Sequence, residues 1–371
     1  MIGEPKKFAF IDALRGLAIL AVILVHAHGA VAADSAWLQE LMAAGARGVQ
    51  LFYIASALTL CLSWSARGAR EDSPLRNFYL RRLFRIVPMF YLAIAVYLAL
   101  YGLAPRYYAP NGVRWYYVPL TALFLNGFHP ETITSVVPGG WSIVVEMTFY
   151  LVLPFLLRSV RSLGVLIALF LVSLLLAQIA GGAAYAIFRH SYPPEQLYLV
   201  DTLATLNFLS QFPVFVLGMI AYWFFMRPAA AAVGAWAGVA LFAVWIVGWT
   251  SLRHVPFAAV LSQPIAMGAV FALLALALAR RPVFALVNPL TIQIGKLSFG
   301  MYLSHFAVID LFRAVGVSQA FGSGDVPAVL HYGAVVSVTA AISWVAHVTL
   351  ERPGIGAGRR LIARLEPPAG T

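Results

Sequence analysis

Apolar runs of about 20 residues, each closed by charged or turn-forming residues, recur along the chain near 8–28, 48–65, 86–103, 141–157, 163–181, 205–226, 232–251, 257–279, 296–316 and 328–350. About 20 residues of α-helix cross the hydrocarbon core of a bilayer. The pattern therefore predicts an all-α polytopic integral membrane protein with about ten transmembrane helices. The stretch 116–127 is too short to span and reads as a re-entrant or interfacial piece, an eleventh element at most. The first run keeps Asp12 and Arg15 near its start and lacks a small-residue cleavage site, so it is expected as a retained helix and not a signal peptide.

Several polar residues interrupt these runs, and an ionisable side chain at a membrane helix centre costs roughly 2.5–3.5 kcal/mol on insertion scales. In "LRGLAILAVILVHAHG", residues 14–29, Arg15 and His26 are eleven positions apart. A helix turns about 100° and rises about 1.5 Å per residue, which puts them on nearly one face some 16 Å apart in depth. Asp12 can pair with Arg15 from one turn earlier. His26 is a candidate general base or nucleophile, set against a plain hydrogen bond to a neighbouring helix. In "RRLFRIVP", Arg82 and Arg85 can face the same way as a fork for phosphate, or simply anchor in headgroups.

"GGWSIVVEMTFYLVLP", residues 139–154, places Glu146 in an apolar run with Tyr150 at i+4 and Trp141 and Ser142 at the helix entry. A carboxylate there needs a partner across a helix interface or a proton. "KLSFGMYLSHFAVID" carries Ser298, Tyr302 and His305 close to one helical face, with Asp310 and Arg313 expected to pair nearby. At "LERPG", Glu351 is expected in an interfacial ion pair with Arg352.

Composition changes the picture in two ways. Hydrophobic residues make up 62% of the chain and charged residues 11%, against about a quarter charged in soluble domains. The net charge of +11 is dealt out between apolar runs and not gathered on one face, which argues against a nucleic-acid partner. With the N-terminus inside, seventeen Lys and Arg residues fall on the cytoplasmic side and six outside. That asymmetry predicts cytoplasmic N- and C-termini. The single cysteine, Cys61, permits no intramolecular disulfide, and no metal-site motif is present. The long outer connections 104–140 and 181–204 are rich in Tyr, Trp, Pro and Gly, with His129, Glu131, His190 and Glu195 among them. Their rings suit interface anchoring or stacking on sugars.

Taken together, "FIDALRGLAILAVILVHA", "RRLFRIVP", "WSIVVEMTFYLVLP", "LSFGMYLSHF" and "ERP" resemble, in order and spacing, the acyltransferase family 3 membrane O-acyltransferases over residues 8 to about 353. The resemblance implies a bacterial inner-membrane, multi-pass enzyme that takes an acyl group, usually acetyl, from cytoplasmic acyl-CoA. The acceptor it implies is a hydroxyl of a surface carbohydrate such as O-antigen or exopolysaccharide. A small hydroxylated acceptor such as a macrolide is the alternative, and a polysaccharide or acyl transporter is a further one, without the inverted repeats that class would show.

By matched position His26, Arg15 and Glu146 are implied as catalytic, and Arg82 and Arg85 as the acyl-CoA grip. His305, with Tyr150, Trp141 and Ser298, is implied in a supporting or substrate-facing role. In this picture the pantetheine arm lies along the Arg15–His26 stripe, His26 acts as base or acyl carrier, and Glu146 fixes its imidazole. Two departures stand out. "GVQLFYIASAL" has Gln50 and Ala57 where family members often carry an acid and a glycine, and the chain is expected to comprise a membrane domain 1–353 and a short cytoplasmic tail 354–371, where many relatives carry an extracytoplasmic hydrolase-like domain. A separate extracytoplasmic transfer protein is then an expected partner, alongside membrane lipids, acyl-CoA and the carbohydrate.

Overall fold

The computed structural model describes residues 8–68, 70–227 and 262–366. Helices dominate, and the only β feature among the described residues is an isolated bridge between Arg106 and Ala109. In chain order the helices are α1 (Ala9–His28), α2 (Ala36–Ala44), α3 (Gly48–Arg67), α4 (Pro74–Tyr101), α5 (Tyr117–Ala122), α6 (Trp141–Ser159) and α7 (Leu163–Phe188). They continue as α8 (Tyr198–Leu206), α9 (Phe208–Phe225), α10 (Gln263–Arg280), α11 (Pro289–Ala314), α12 (Val317–Phe321), α13 (Asp325–Ala346) and α14 (Arg352–Leu365).

Among the described residues eight helical segments are long and apolar enough to cross a membrane, against the ten expected. The difference has two sources. The expected span 232–251, with the start of 257–279, lies outside the described residues. The expected span 296–316 is present inside α11 but is not one of the eight. Lys296, Ser298, Ser304 and Asp310 dilute its apolar content. The helix expected to begin at 86 instead starts at Pro74, with Pro at its first turn, so the whole basic cluster is helical.

Two compact units form, one from the residues up to Thr59 with Val214–Trp344, the other from Leu60–Pro213 with the residues from Val345 on. In the first unit α1 packs along α11 with almost no space between the backbones. A Cβ added to Gly16 would overlap Thr291 O, and one added to Gly295 would overlap Asp12 O. Small residues at a membrane helix crossing let backbones touch in this way. α11 begins with a capping box, in which Asn288 Oδ1 accepts from Leu290 N and Thr291 N, each at 3.0 Å, and Thr291 Oγ1 accepts from Asn288 N at 3.1 Å.

In the second unit α14 lies antiparallel to the first half of α4. Gly354 approaches Phe84 O and Pro88, and Gly358 approaches the Phe84 side chain. At the other end Arg76 Nη2 donates to Leu365 O at 3.2 Å, and Glu366 accepts from Ser73 N at 2.9 Å. The tail segment from 354 is thus helical as far as Leu365, which hydropathy alone does not announce. A π-helical turn, His347–Glu351, links α13 to α14.

Candidate active site

The residues singled out by sequence fall into two groups, one in each unit. The first group stands on α1 and α11. α1 is one unbroken helix, so Arg15 and His26 do share a stripe. Arg15 makes a 3.6 Å ion pair with Asp12 Oδ1, and its Nη2 donates to Thr59 Oγ1 at 3.0 Å. The expected Asp12 pairing is therefore present, and α3 adds a hydroxyl.

His26, half-buried, faces α11. Its ring centroid is 5.3 Å from that of His305 and 4.3 Å from that of Phe306. The two imidazoles that sequence left unconnected are neighbours because the glycine contact seats α1 against α11. His305 is fully buried, and its Nδ1 lies 2.7 Å from Tyr302 O. A carbonyl only accepts, so Nδ1 carries the proton and Nε2 presents a lone pair. That Nε2 is buried with no hydrogen-bond partner among the described residues. Ser298 and Tyr302 are buried on the same helix, Tyr302 edge-on to Phe52 at 6.1 Å. Asp310 pairs with Arg313 at 3.4 Å as expected, and Arg313 Nη2 donates to Gly29 O at 2.8 Å just past the end of α1.

The second group stands on α4 and α6. Tyr150 OH donates to Glu146 Oε1 at 2.6 Å, one turn along α6. The Arg82 guanidinium lies 5.8 Å from the Tyr150 ring centroid and 5.6 Å from that of Phe78. Arg82 is only 8% exposed. An arginine that merely anchored in headgroups would extend into them, so its enclosure between two rings disfavours that account. Arg85 is half-buried, and its charge bears on Tyr150 together with that of Arg82. Trp141 belongs instead to an apolar cluster with Ile133, Ala184, Leu203 and Ala204. Ser142 Oγ donates to Gly139 O at 3.2 Å and does not cap α6.

Two features escaped sequence reasoning. Glu351 does not pair directly with Arg352. Its Oε2 meets His347 Nδ1 at 2.7 Å, and Arg352 Nε donates to His347 Nε2 at 3.0 Å, so the imidazole stands between them. The i, i+4 spacing of His347 and Glu351 was the available signal. The other is a carboxylate centre in the 104–140 connection. Buried Glu131 accepts from Tyr117 OH at 2.8 Å, its charge bears on the Tyr192 hydroxyl, and its backbone N–H donates to His129 Nδ1 at 3.2 Å. Burial first, then Glu131, pushes the Tyr192 hydroxyl up to about 12 and holds that of Tyr117 well above its usual value.

Both phenols hold their protons more tightly in the folded protein than in the unfolded chain. The contribution of Tyr192 to stability is full below about pH 10 and is lost as pH rises through its folded value of about 12, and that of Tyr117 is lost in the same direction as pH rises. Thermal unfolding in detergent is expected to shift to lower temperature across that window, and Tyr192→Phe to flatten the shift. An equally steep fall in the variant would show that Tyr192 is not its source.

Comparison with known proteins follows the same residues. A family model described as an acyltransferase domain matches residues 8–348. The chain is also 25% identical over 387 residues to Nodulation protein 10 of Rhizobium leguminosarum bv. viciae, covering 98% of this chain and 96% of the relative. No solved structure matches it.

Proposed function

We propose, from the premise that this chain belongs to the acyltransferase 3 family of membrane acyltransferases, that it moves an acyl group from cytoplasmic acyl-CoA to a hydroxyl of a cell-surface carbohydrate. Acetyl is the acyl group proposed, and the bacterial inner membrane the location. The observation that carries the reading is the His26–His305 pair, a half-buried imidazole next to one whose tautomer is fixed.

His26 takes the proton of the acceptor hydroxyl as its oxygen attacks the thioester carbonyl. The new ester C–O bond forms, the C–S bond breaks, and the proton passes to the departing thiolate to give free CoA. The His305 Nε2 lone pair steadies the proton on His26 while it is held there. Arg82 and Arg85 take the donor phosphates through charge-assisted hydrogen bonds, with Arg15 as a further cation at the other end of the α1 stripe from His26. Glu146, through Tyr150, holds the ring against which Arg82 lies.

The test is acetyl-CoA turnover by the purified protein in nanodiscs, with free CoA followed in the presence and absence of candidate glycans. Arg82→Ala is expected to raise the donor KM by about tenfold or more, the effect of losing one charge-assisted contact of roughly 1.5–3 kcal/mol. Absence of both CoA release and CoA binding in the wild type would remove the acyltransferase mechanism written here and favour the transport reading.

A further inference from the structure

A cation with no part in the mechanism above stands in the first unit. Sequence places Arg47 in the connection between the first two apolar runs, but the structure draws that connection in beside α1. The turn Gly45–Arg47 joins α2 to α3. A Cβ on Gly45 would overlap Ala21 O, and one on Gly48 would overlap Ala18 O. Gly45 also lies against Val25 N, next to His26. The junction therefore rests on the body of a membrane helix and not past its end. An ionisable side chain at such a depth costs roughly 2.5–3.5 kcal/mol on insertion scales, which marks it for a function.

Two sets of contacts put the guanidinium in the layer of His26. Arg47 Nη2 donates to Gln263 Oε1 at 3.1 Å, and Gln263 is the first residue of α10. At the other end of α10 Arg280 Nη2 donates to Phe225 O at 3.2 Å, and the Phe225 ring meets that of Phe10, near the start of α1, at 6.0 Å. From that shared level, at about 1.5 Å per residue, Gln263 is about 25 Å along α10 and His26 about 24 Å along α1. Sideways, α3 packs on both helices that carry the imidazole pair. It meets α1 through Gly48 and α11 through Phe52, whose ring is 6.1 Å from that of Tyr302. The Tyr302 ring is in turn 5.7 Å from that of His305. Arg47, half-buried like His26, brings a planar group of five N–H donors to this layer.

We propose that Arg47 is a further catalytic residue, which donates to the thioester carbonyl oxygen and stabilises the oxyanion that forms there. This rests on the acyl-CoA reading above. As the acceptor oxygen attacks and His26 takes its proton, the carbonyl π pair moves onto the carbonyl oxygen, which becomes anionic in the tetrahedral intermediate. The pair returns as the C–S bond breaks, and the thiolate takes the proton from His26. His305 offers only a lone pair on Nε2 and has nothing to give that oxygen. A guanidinium fixed in place stabilises it without reorganisation at the moment of reaction. The Gln263 amide is neutral and holds the group without taking its charge.

The experiment follows acetyl-CoA turnover and thermal unfolding in nanodiscs for the wild type, R47Q, R47K and Q263E. R47Q is expected to lower kcat by about 10²–10³-fold, the usual effect of removing one oxyanion donor, with the donor KM kept, and R47K to recover part of the loss. Q263E separates chemistry from architecture. Its carboxylate would hold Arg47 to α10 at least as firmly as the amide does, so a purely structural Arg47 predicts full activity, whereas the proposal predicts a lower kcat with no fall in unfolding temperature. Should R47Q not fold, R47K and Q263E carry the test. Wild-type kcat in Q263E overturns the proposal. So does a raised donor KM with kcat kept in R47Q, which would make Arg47 part of the donor grip. A wild type that neither turns over nor binds acetyl-CoA overturns the acyl-CoA reading and this one with it; an active wild type with an equally active R47Q overturns this one alone.

Discussion

His26→Ala is expected to lower acceptor-dependent CoA release by about 10²–10⁴-fold, the usual contribution of a positioned general base, while CoA still binds. The expectation follows from where the imidazole stands. His26 is near the C-terminal end of α1, only half-buried, with the rings of His305 and Phe306 on one side. The cations assigned to donor phosphates are elsewhere, on α4. Turnover and CoA binding should therefore separate in this variant, with turnover read by free thiol and binding by isothermal titration. Lost CoA binding would make His26 part of the donor grip, and unaltered turnover would remove it from the chemistry.

Gly295→Val is expected to have the largest structural effect. Even a Cβ at that position would overlap Asp12 O, and the facing Gly16 allows no retreat because its own Cβ direction is closed by Thr291 O. Overpacking inside a well-packed core costs about 1–3 kcal/mol, occasionally more, and here the obstructing atoms are backbone, which cannot rotate away. α1 and α11 must move apart, and the His26–His305 spacing depends on the same two helices. The variant should unfold at a lower temperature in detergent and lose most of its turnover. Wild-type stability with wild-type turnover would show that the helices do not meet as closely as Gly16 and Gly295 indicate.

Much of this architecture was legible because helices in lipid must satisfy their backbones internally, which turns each apolar run into a helix. The Arg15–His26 stripe followed from helical geometry alone, and so did the Glu146–Tyr150 and Asp310–Arg313 pairings, since i, i+3 and i, i+4 neighbours need no tertiary information. What sequence could not supply was which helix faces which. The meeting of His26 with His305 depends on a glycine contact between α1 and α11, residues 16 and 295, and nothing in either segment names the other. The enclosure of Arg82 by Phe78 and Tyr150 is likewise a property of two helices at once. α14 was passed over for a different reason. Its four arginines and three glycines lower both its hydropathy and its helix propensity, and its order comes from the seat it finds on α4.

The π-helical turn at His347–Glu351 has a geometric consequence for that seat. A π turn holds one residue more than an α turn, and one residue corresponds to about 100° of rotation about the axis. The turn thus acts as a phase-setter between the last long helix and α14. With it, Gly354 and Gly358 point at α4 and the guanidinium groups point to solvent. With one residue fewer, the same fourteen amino acids would present a different side to Phe84, bulky where the fit now requires hydrogen. His347, clasped between Glu351 and Arg352 across that turn, is the stitch that keeps the count.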